Sequence, residues 1–352
     1  MSSALSASNE IRKRRAVDAS LDARIVGMDS CPLTLGECVQ GRLPDGRFFL
    51  ITSPIGLCSH AEFAIDLACV DVAVVPPGLT KAQTAVRRYL AEEGLPAGGV
   101  LRVDCPLACG QGFGTSTGDI TASLRAAAAA WGRHITPERI AGFAIEIEPT
   151  DGSMYPGCVA FAHREGFVIE SLGRLPRFEA VIALPGGVVD TMAFDEYRRD
   201  HRYGARDQED LLRAWAMVRY ANRTDDVGLM AAAATISTRI NEQLLPKLLF
   251  REMLRFAQLA GIEGLMAAHS GTALAFILDP ARPRYIDRLI AARRFMIDLK
   301  PASWFQTGND VGRQDVGAWL DHSPPDAPVV RSNHASDVAM SPAVARPQPA
   351  IT

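Results

Sequence analysis

No sign of charge prevails in this sequence of 352 residues: 37 lysines and arginines face 40 aspartates and glutamates, a formal net charge of −3. Without a positive field there is nothing to hold nucleic acid or an anionic membrane surface. The single basic run, Arg12 to Arg15, is too short to change that and reads as part of a solvated tail. The cysteines lack every useful pattern. Seven lie between Cys31 and Cys158, an odd number with no C-x-x-C spacing. That excludes a disulfide framework and a zinc ribbon, and leaves small buried hydrophobes in a reducing compartment, the cytoplasm. The first thirty residues lack the apolar block of a signal peptide, and the apolar runs fall short of a membrane span. There is no internal repeat.

What is present is a globular composition, 48% hydrophobic and 22% charged, in a chain long enough for two domains. Residues 1–22 show no apolar periodicity and read as a flexible extension. From His322 onward proline, serine and alanine replace core-forming residues, and residues 313–352 are expected to be a disordered tail. Between these ends, residues 48–55, 63–75 and 100–103 read as strands, and 81–93 and 119–131 as helices. Thr136-Pro137 starts another helix, to about Glu146, with an N-cap and proline in the first turn. In the second half strands are expected at 181–184, 265–268, 273–278 and 295–299. Helices are expected at 207–220, 227–244, 247–259 and 285–294. Mixed elements in two blocks, joined near residues 174–180, make an α+β protein with domains at 23–175 and 176–312.

Three segments carry possible chemistry. Pro106-Leu-Ala-Cys-Gly110-Gln-Gly112-Phe113-Gly114-Thr115-Ser116-Thr117 sets alternating glycines and three hydroxyls before an alanine-rich stretch. Such a loop lets backbone amides and a helix N-terminus approach an anion such as phosphate. It is not a P-loop or a dinucleotide fingerprint, because Thr115 stands where each needs another residue. Its plain alternative is a glycine-rich turn capping a helix. Glu146-Ile-Glu148-Pro-Thr-Asp151 reads as an acidic turn whose Asp151 carboxylate would orient a hydroxyl or take its proton. Ala268-His269-Ser270-Gly271-Thr272 reads as a small-residue turn between strands.

Together with Cys31-Pro32-Leu-Thr-Leu-Gly36-Glu37-Cys-Val-Gln40-Gly41, these segments resemble the three ordered motifs of the GHMP kinases. Within that family the chain is most similar to the L-threonine kinase branch of cobalamin biosynthesis. The likeness rests on Cys-Pro with Gly-Glu, Ser116-Thr-Gly-Asp119-Ile, Glu148-Pro-Thr-Asp151, Leu244-Leu-Pro-Lys247 and Ala268-His-Ser-Gly271, spread over residues 25–310. Gly114, Thr115 and Gly118 depart from the Ala, Ser and Ala more usual there, while keeping backbone amides and hydroxyls.

The resemblance implies a ribosomal-S5-domain-2-like N-terminal domain and a ferredoxin-like C-terminal domain. It also implies ATP and Mg²⁺ as cofactors. ATP would lie over the loop from Pro106 to Thr117, through Gly110, Gly112, Phe113, Gly114 and Thr115. Ser116 would be a metal ligand, with Asp119 or Glu148 as its acidic partner. Asp151 would act with Ser116 as catalytic residue. Glu37, Gln40, His269 and Ser270 would bind a small-molecule substrate, L-threonine. Another small alcohol as acceptor, or a non-catalytic sensor derived from such a kinase, are the competing expectations.

Overall fold

The structure, a computed structural model, describes residues 25–199, 201 and 203–309. The expected N-terminal extension, the basic run and the C-terminal tail lie outside these residues.

Two sheets organise the chain. The first has six strands: β1 (Val26–Arg42), β2 (Phe48–Ile65), β3 (Val72–Val75), β4 (Gly99–Asp104), β5 (Cys158–Ala162) and β6 (Phe167–Gly173). The path runs β3-β4-β2-β5-β6, with β1 paired antiparallel to β2. The second sheet has order β10-β7-β9-β8, all antiparallel, from β7 (Glu179–Leu184), β8 (Gly264–Ala267), β9 (Leu274–Leu278) and β10 (Ser303–Gly308).

Helices α1 (Thr80–Glu92), α2 (Thr115–Ala130) and α3 (Pro137–Ile145) pack with the first sheet. Alanine lets α2 bury nearly its whole circumference, and Gly118 brings it against Leu33 and Ser59. Thr136 caps α3 by accepting from Arg139 N–H, with Pro137 in the first turn, as the sequence predicts. After β7 come α4 (Thr191–Arg198), α5 (Ala205–Thr224), α6 (Val227–Asn241), α7 (Phe250–Ala260) and α8 (Tyr285–Leu299). One hydrophobic cluster takes side chains from both sheets, with Leu33, Phe49 and Ile51 in the same core as Ile182, Met266 and Ala275. No helix among the described residues is long and apolar enough to cross a membrane.

Two expectations need correction. Residues 295–299 are not a strand: α8 continues through them because Leu289, Ala292 and Met296 form one buried helical face. The chain then turns at Lys300, and the strand is Ser303–Gly308. The segment 63–75 is not one strand either, for β2 ends at Ile65 and β3 begins at Val72. Strands β1, β5 and β6 and helix α4 carry no expectation from sequence. Pro32 and Gly36 hide β1 by interrupting its alternation, and the strand accommodates them as irregularities in its register between Pro32 and Val39.

Candidate active site

The loop before α2 gathers the site. Gly110, Gly112 and Gly114 all have positive φ, and Gly114, at φ +62°, is the N-cap residue of α2. The free amides of the first helical turn therefore open into a cleft of about 660 Å³. Gly114 has a second reason to lack a side chain: a Cβ there would lie 2.5 Å from Asp151 Oδ2 and 2.9 Å from Thr34 Oγ1.

The three sequence motifs meet around this loop. Thr34 on β1 donates its N–H to the Phe113 carbonyl at 2.9 Å. Ala273 N–H reaches the Gln111 carbonyl at 3.1 Å, and Gly271 presses on the Gln111–Gly112 backbone so closely that any Cβ would overlap it. Lys247, buried before α7, donates to the Gly271 carbonyl from behind. Its burial pushes the ammonium pKa down to about 7, against the opposing pull of Glu242.

At the helix end of the cleft, Ser116 Oγ makes a very short hydrogen bond to Glu148 Oε1. The other oxygen of Glu148 accepts from Lys81 Nζ at 2.6 Å. Glu148 is buried while Lys81 is half exposed at the start of α1, so the carboxylate already takes a cation from the cleft side. A hydroxyl beside a buried carboxylate that already holds a cation on its cleft side is the kind of hard oxygen donor set that Mg²⁺ would take. Asp119, one turn on, also lines the cleft but accepts from Ser59 Oγ at 2.6 Å. Burial raises its pKa to about 6, opposed by the Ser59 and Cys105 hydrogen bonds. Thr117 and Thr150 hydroxyls meet at 2.7 Å and tie α2 to the acidic segment.

Asp151 sits beside this pair, buried, with Oδ1 accepting from Ser153 N–H at 2.8 Å. Burial raises its pKa, so the carboxylate is a better proton acceptor than an exposed one. Glu37, on the irregular part of β1, is pushed well above the carboxylate range by burial and then by the charge of Asp151, with Arg198 opposing. Its Oε2 has no hydrogen-bond partner among the described residues.

The far end of the cleft holds His269 and Ser270 together with residues that no sequence motif flagged. His163, at the end of β5, and Asp195, on α4, both line it. His163 and His269 meet edge to face with ring centroids 5.5 Å apart. Burial is the main cause depressing both imidazoles, His163 to about 4 and His269 well below its usual value. The only trace in the sequence is an apolar strand running straight into a histidine. Two sequence-predicted residues fall elsewhere. Gln40 is buried with its backbone bonded to Ser237 and Asn241 on α6, and neither Gln40 nor Pro106 lines the cleft. The alternating face of β1 turns Glu37 inward to the cleft, and Gln40 lies beyond the register irregularity.

Residues 80–161 match the model of the GHMP kinases N terminal domain. The chain is 26% identical over 264 residues to the L-threonine kinase of Salmonella typhimurium (strain LT2), covering 73% of this chain and 84% of that protein. It is 26% identical to the L-threonine kinase of Citrobacter freundii over 260 residues, 72% of this chain and 86% of that one. In three dimensions it is similar to a homoserine kinase from Cytophaga hutchinsonii, with a TM-score of 0.62, 14% identity, and coverage of 82% of this chain and 97% of that one.

Proposed function

We propose, from the premise that this chain carries a GHMP kinase N-terminal domain and the GHMP kinase fold, that it transfers the γ-phosphoryl group of ATP to the hydroxyl of free L-threonine. The product is L-threonine O-3-phosphate, a precursor for the aminopropanol phosphate of the cobalamin nucleotide loop. The observation that carries this reading is the meeting of Ser116, Glu148 and Asp151 at the N-terminus of α2.

Phosphoryl transfer asks the protein for positioning and charge neutralisation more than for covalent chemistry. The amides at the start of α2 and in the loop from Gly110 to Thr115 receive the triphosphate oxygens. Ser116 and Glu148 would hold Mg²⁺, with Asp119 as the other acidic residue lining this part of the cleft. Bound Mg²⁺ neutralises the charge that develops on the transferring group. Lys81 exchanges its bond with Glu148 for phosphate oxygens. Asp151 orients the acceptor hydroxyl and accepts its proton late in the transfer, since an alkyl hydroxyl does not ionise at neutral pH. Glu37, His269 and Ser270 hold the acceptor, and the curated relatives, both named L-threonine kinase, support threonine as that acceptor.

The test is ADP release from Mg-ATP with L-threonine, L-serine, L-homoserine and aminopropanol. Release with L-threonine well above the others, with phosphothreonine as product, supports the reading. A different preferred alcohol keeps the kinase and discards the cobalamin assignment. No release with any of them, alongside ATP binding, moves a sensor role to the front. Asp151→Asn is expected to lower kcat by about 10²-fold with little change in the KM for ATP; unchanged turnover reduces Asp151 to a turn residue.

A further inference from the structure

Buried polar atoms without hydrogen-bond partners are rare in proteins, and each calls for an explanation. Here seven of the fifteen found among the described residues belong to one neighbourhood: both ring nitrogens of His163, Nε2 of His269, Oε2 of Glu37 and all three guanidinium nitrogens of Arg198. Arg198 is wholly buried, one turn from Asp195 on α4. It stacks over the Phe48 ring at 4.9 Å and the Phe194 ring at 5.8 Å. Phe194 in turn packs edge-on against His269, and Phe48 against His163.

Among the described residues, no carboxylate makes an ion pair with the Arg198 guanidinium. Asp195 is engaged by Arg164, through Nε at 2.9 Å and Nη2 at 2.8 Å. Its distance to His163 Nε2 is 3.7 Å, too long for a hydrogen bond. Burial is the main cause lowering the Arg198 pKa, opposed by Tyr203 and by the Asp195 carboxylate, while the charge of Arg164 adds to it. At His269, burial first and then the charges of Arg198, His163, Lys247 and Arg164 all work against protonation. A buried guanidinium without a paired anion costs a fold dearly, and a ligand that supplies the anion recovers that cost on binding. His163, His269 and Asp195 line the cleft, whereas Arg198 stands one layer behind them.

We propose that His163 and His269 form the seat for the α-carboxylate of the acceptor, with the buried Arg198 as the positioning charge behind them. This rests on the amino-acid kinase reading and deepens it, for it makes the carboxylate, rather than the hydroxyl or methyl of the side chain, the main mark of the substrate. Glu37 and Asp195, the acidic groups at the same end, then face the α-ammonium. His163, Asp195 and Arg198 thereby become specificity-determining residues alongside those of the three motifs.

The test compares L-threonine with L-threoninamide, which keeps the ammonium and the hydroxyl but lacks the anion, in the full-length protein and in Arg198→Met and His163→Gln. The wild type is expected to prefer L-threonine by roughly 10²-fold in kcat/KM, as the loss of charge-assisted hydrogen bonds in a buried site implies. In both variants the preference is expected to fall to about tenfold or less, through a higher KM for L-threonine, with the KM for ATP within about twofold of wild type. Arg198→Met is also expected to raise the melting temperature of the ligand-free protein, because it removes a buried charge that makes no ion pair among the described residues. If Arg198→Met does not fold, His163→Gln alone decides. Variants that fold and keep the full preference overturn the proposal and leave the cluster a structural one. Calorimetric binding of both compounds separates this from a failure of the kinase reading. An L-threonine preference in binding that the variants lose, without turnover, keeps the seat and discards the kinase. Equal binding of acid and amide overturns the seat whatever the turnover.

Discussion

The two ends of the cleft are built on opposite plans. The end proposed for phosphate is made of backbone: three glycines of positive φ, the open amides of α2, and side chains that already satisfy one another, Ser116 with Glu148 with Lys81 and Thr117 with Thr150. The end proposed for the acceptor is made of side chains from β1, β5, α4 and the β8–β9 turn, and polar atoms of Glu37, His163, Arg198 and His269 have no hydrogen-bond partner among the described residues. A site that accepts the same group in every turnover can be completed in advance. A site that must tell one small molecule from another keeps its donors free, and leaves fold stability unrealised until the ligand arrives.

The largest expected effect sharpens the first half of that contrast. Glu148→Gln keeps the shape of the hydrogen-bonded pair but removes its charge, and is expected to cost about 10²- to 10³-fold in kcat/KM with Mg-ATP. Ser116→Ala is expected to cost on the order of 10²-fold. Loss of activity at either position without loss of thermal stability separates the phosphate end from the core; wild-type turnover would remove both residues from the site.

The next effect sets the two ends against each other in their response to pH. Asp119 has a folded pKa of about 6, above that of an unfolded aspartate. Its contribution to stability is therefore fully present below pH 4 and is lost as the pH rises toward 6. His163, with a folded pKa of about 4, behaves in the opposite sense. Its contribution is present above pH 6.5 and is lost as the pH falls toward 4. Each is worth at most about 3 kcal/mol. Melting temperatures of Asp119→Asn and His163→Gln across pH 4 to 8 check this. Asp119→Asn should gain most over wild type at pH 7, and His163→Gln should gain most near pH 4. Parallel curves would show that neither group titrates with the fold.

The smallest effect concerns the seam between the ends. Gly114→Ala places a methyl group at φ +62° against Asp151. It is expected to destabilise the fold by about 1–2 kcal/mol and to lower kcat by roughly tenfold as the carboxylate is displaced. An unchanged kcat would mean that the position of Asp151 is not critical.

The same division explains what could be read in the sequence. The phosphate loop, the helix it opens, the capped α3 and the β8–β9 turn are local constructions, so glycine spacing, Thr136-Pro137 and short apolar runs announce them. Strand β1 could not be read because Pro32 and Gly36 break its alternation, and the register irregularities that absorb them exist only through pairing with β2. Phe295 to Leu299 is apolar enough to suit either period, so the sequence reads as a strand where α8 continues. His163, Asp195 and Arg198 have no local pattern at all. His163 precedes Asp195 and Arg198 by about thirty residues, and the three become a cluster only when α4 brings Asp195 within 3.7 Å of His163. Gln40 shows the converse, a residue inside a motif whose structural partner is α6 rather than the cleft.

The close seating of Gly271 on the Gln111–Gly112 backbone has a thermodynamic consequence. The loop proposed to take the triphosphate cannot shift toward Gly271 without carrying the turn that bears His269, so the two proposed substrates would share one moving part. Any factor by which nucleotide tightens the hold on the acceptor must then be returned in full, the acceptor tightening the hold on nucleotide by the same ratio. The affinity for a non-hydrolysable ATP analogue, with and without saturating L-threonine, measures that ratio. A value of one would mean that this seam, tight as it is, carries no conversation between the two ends.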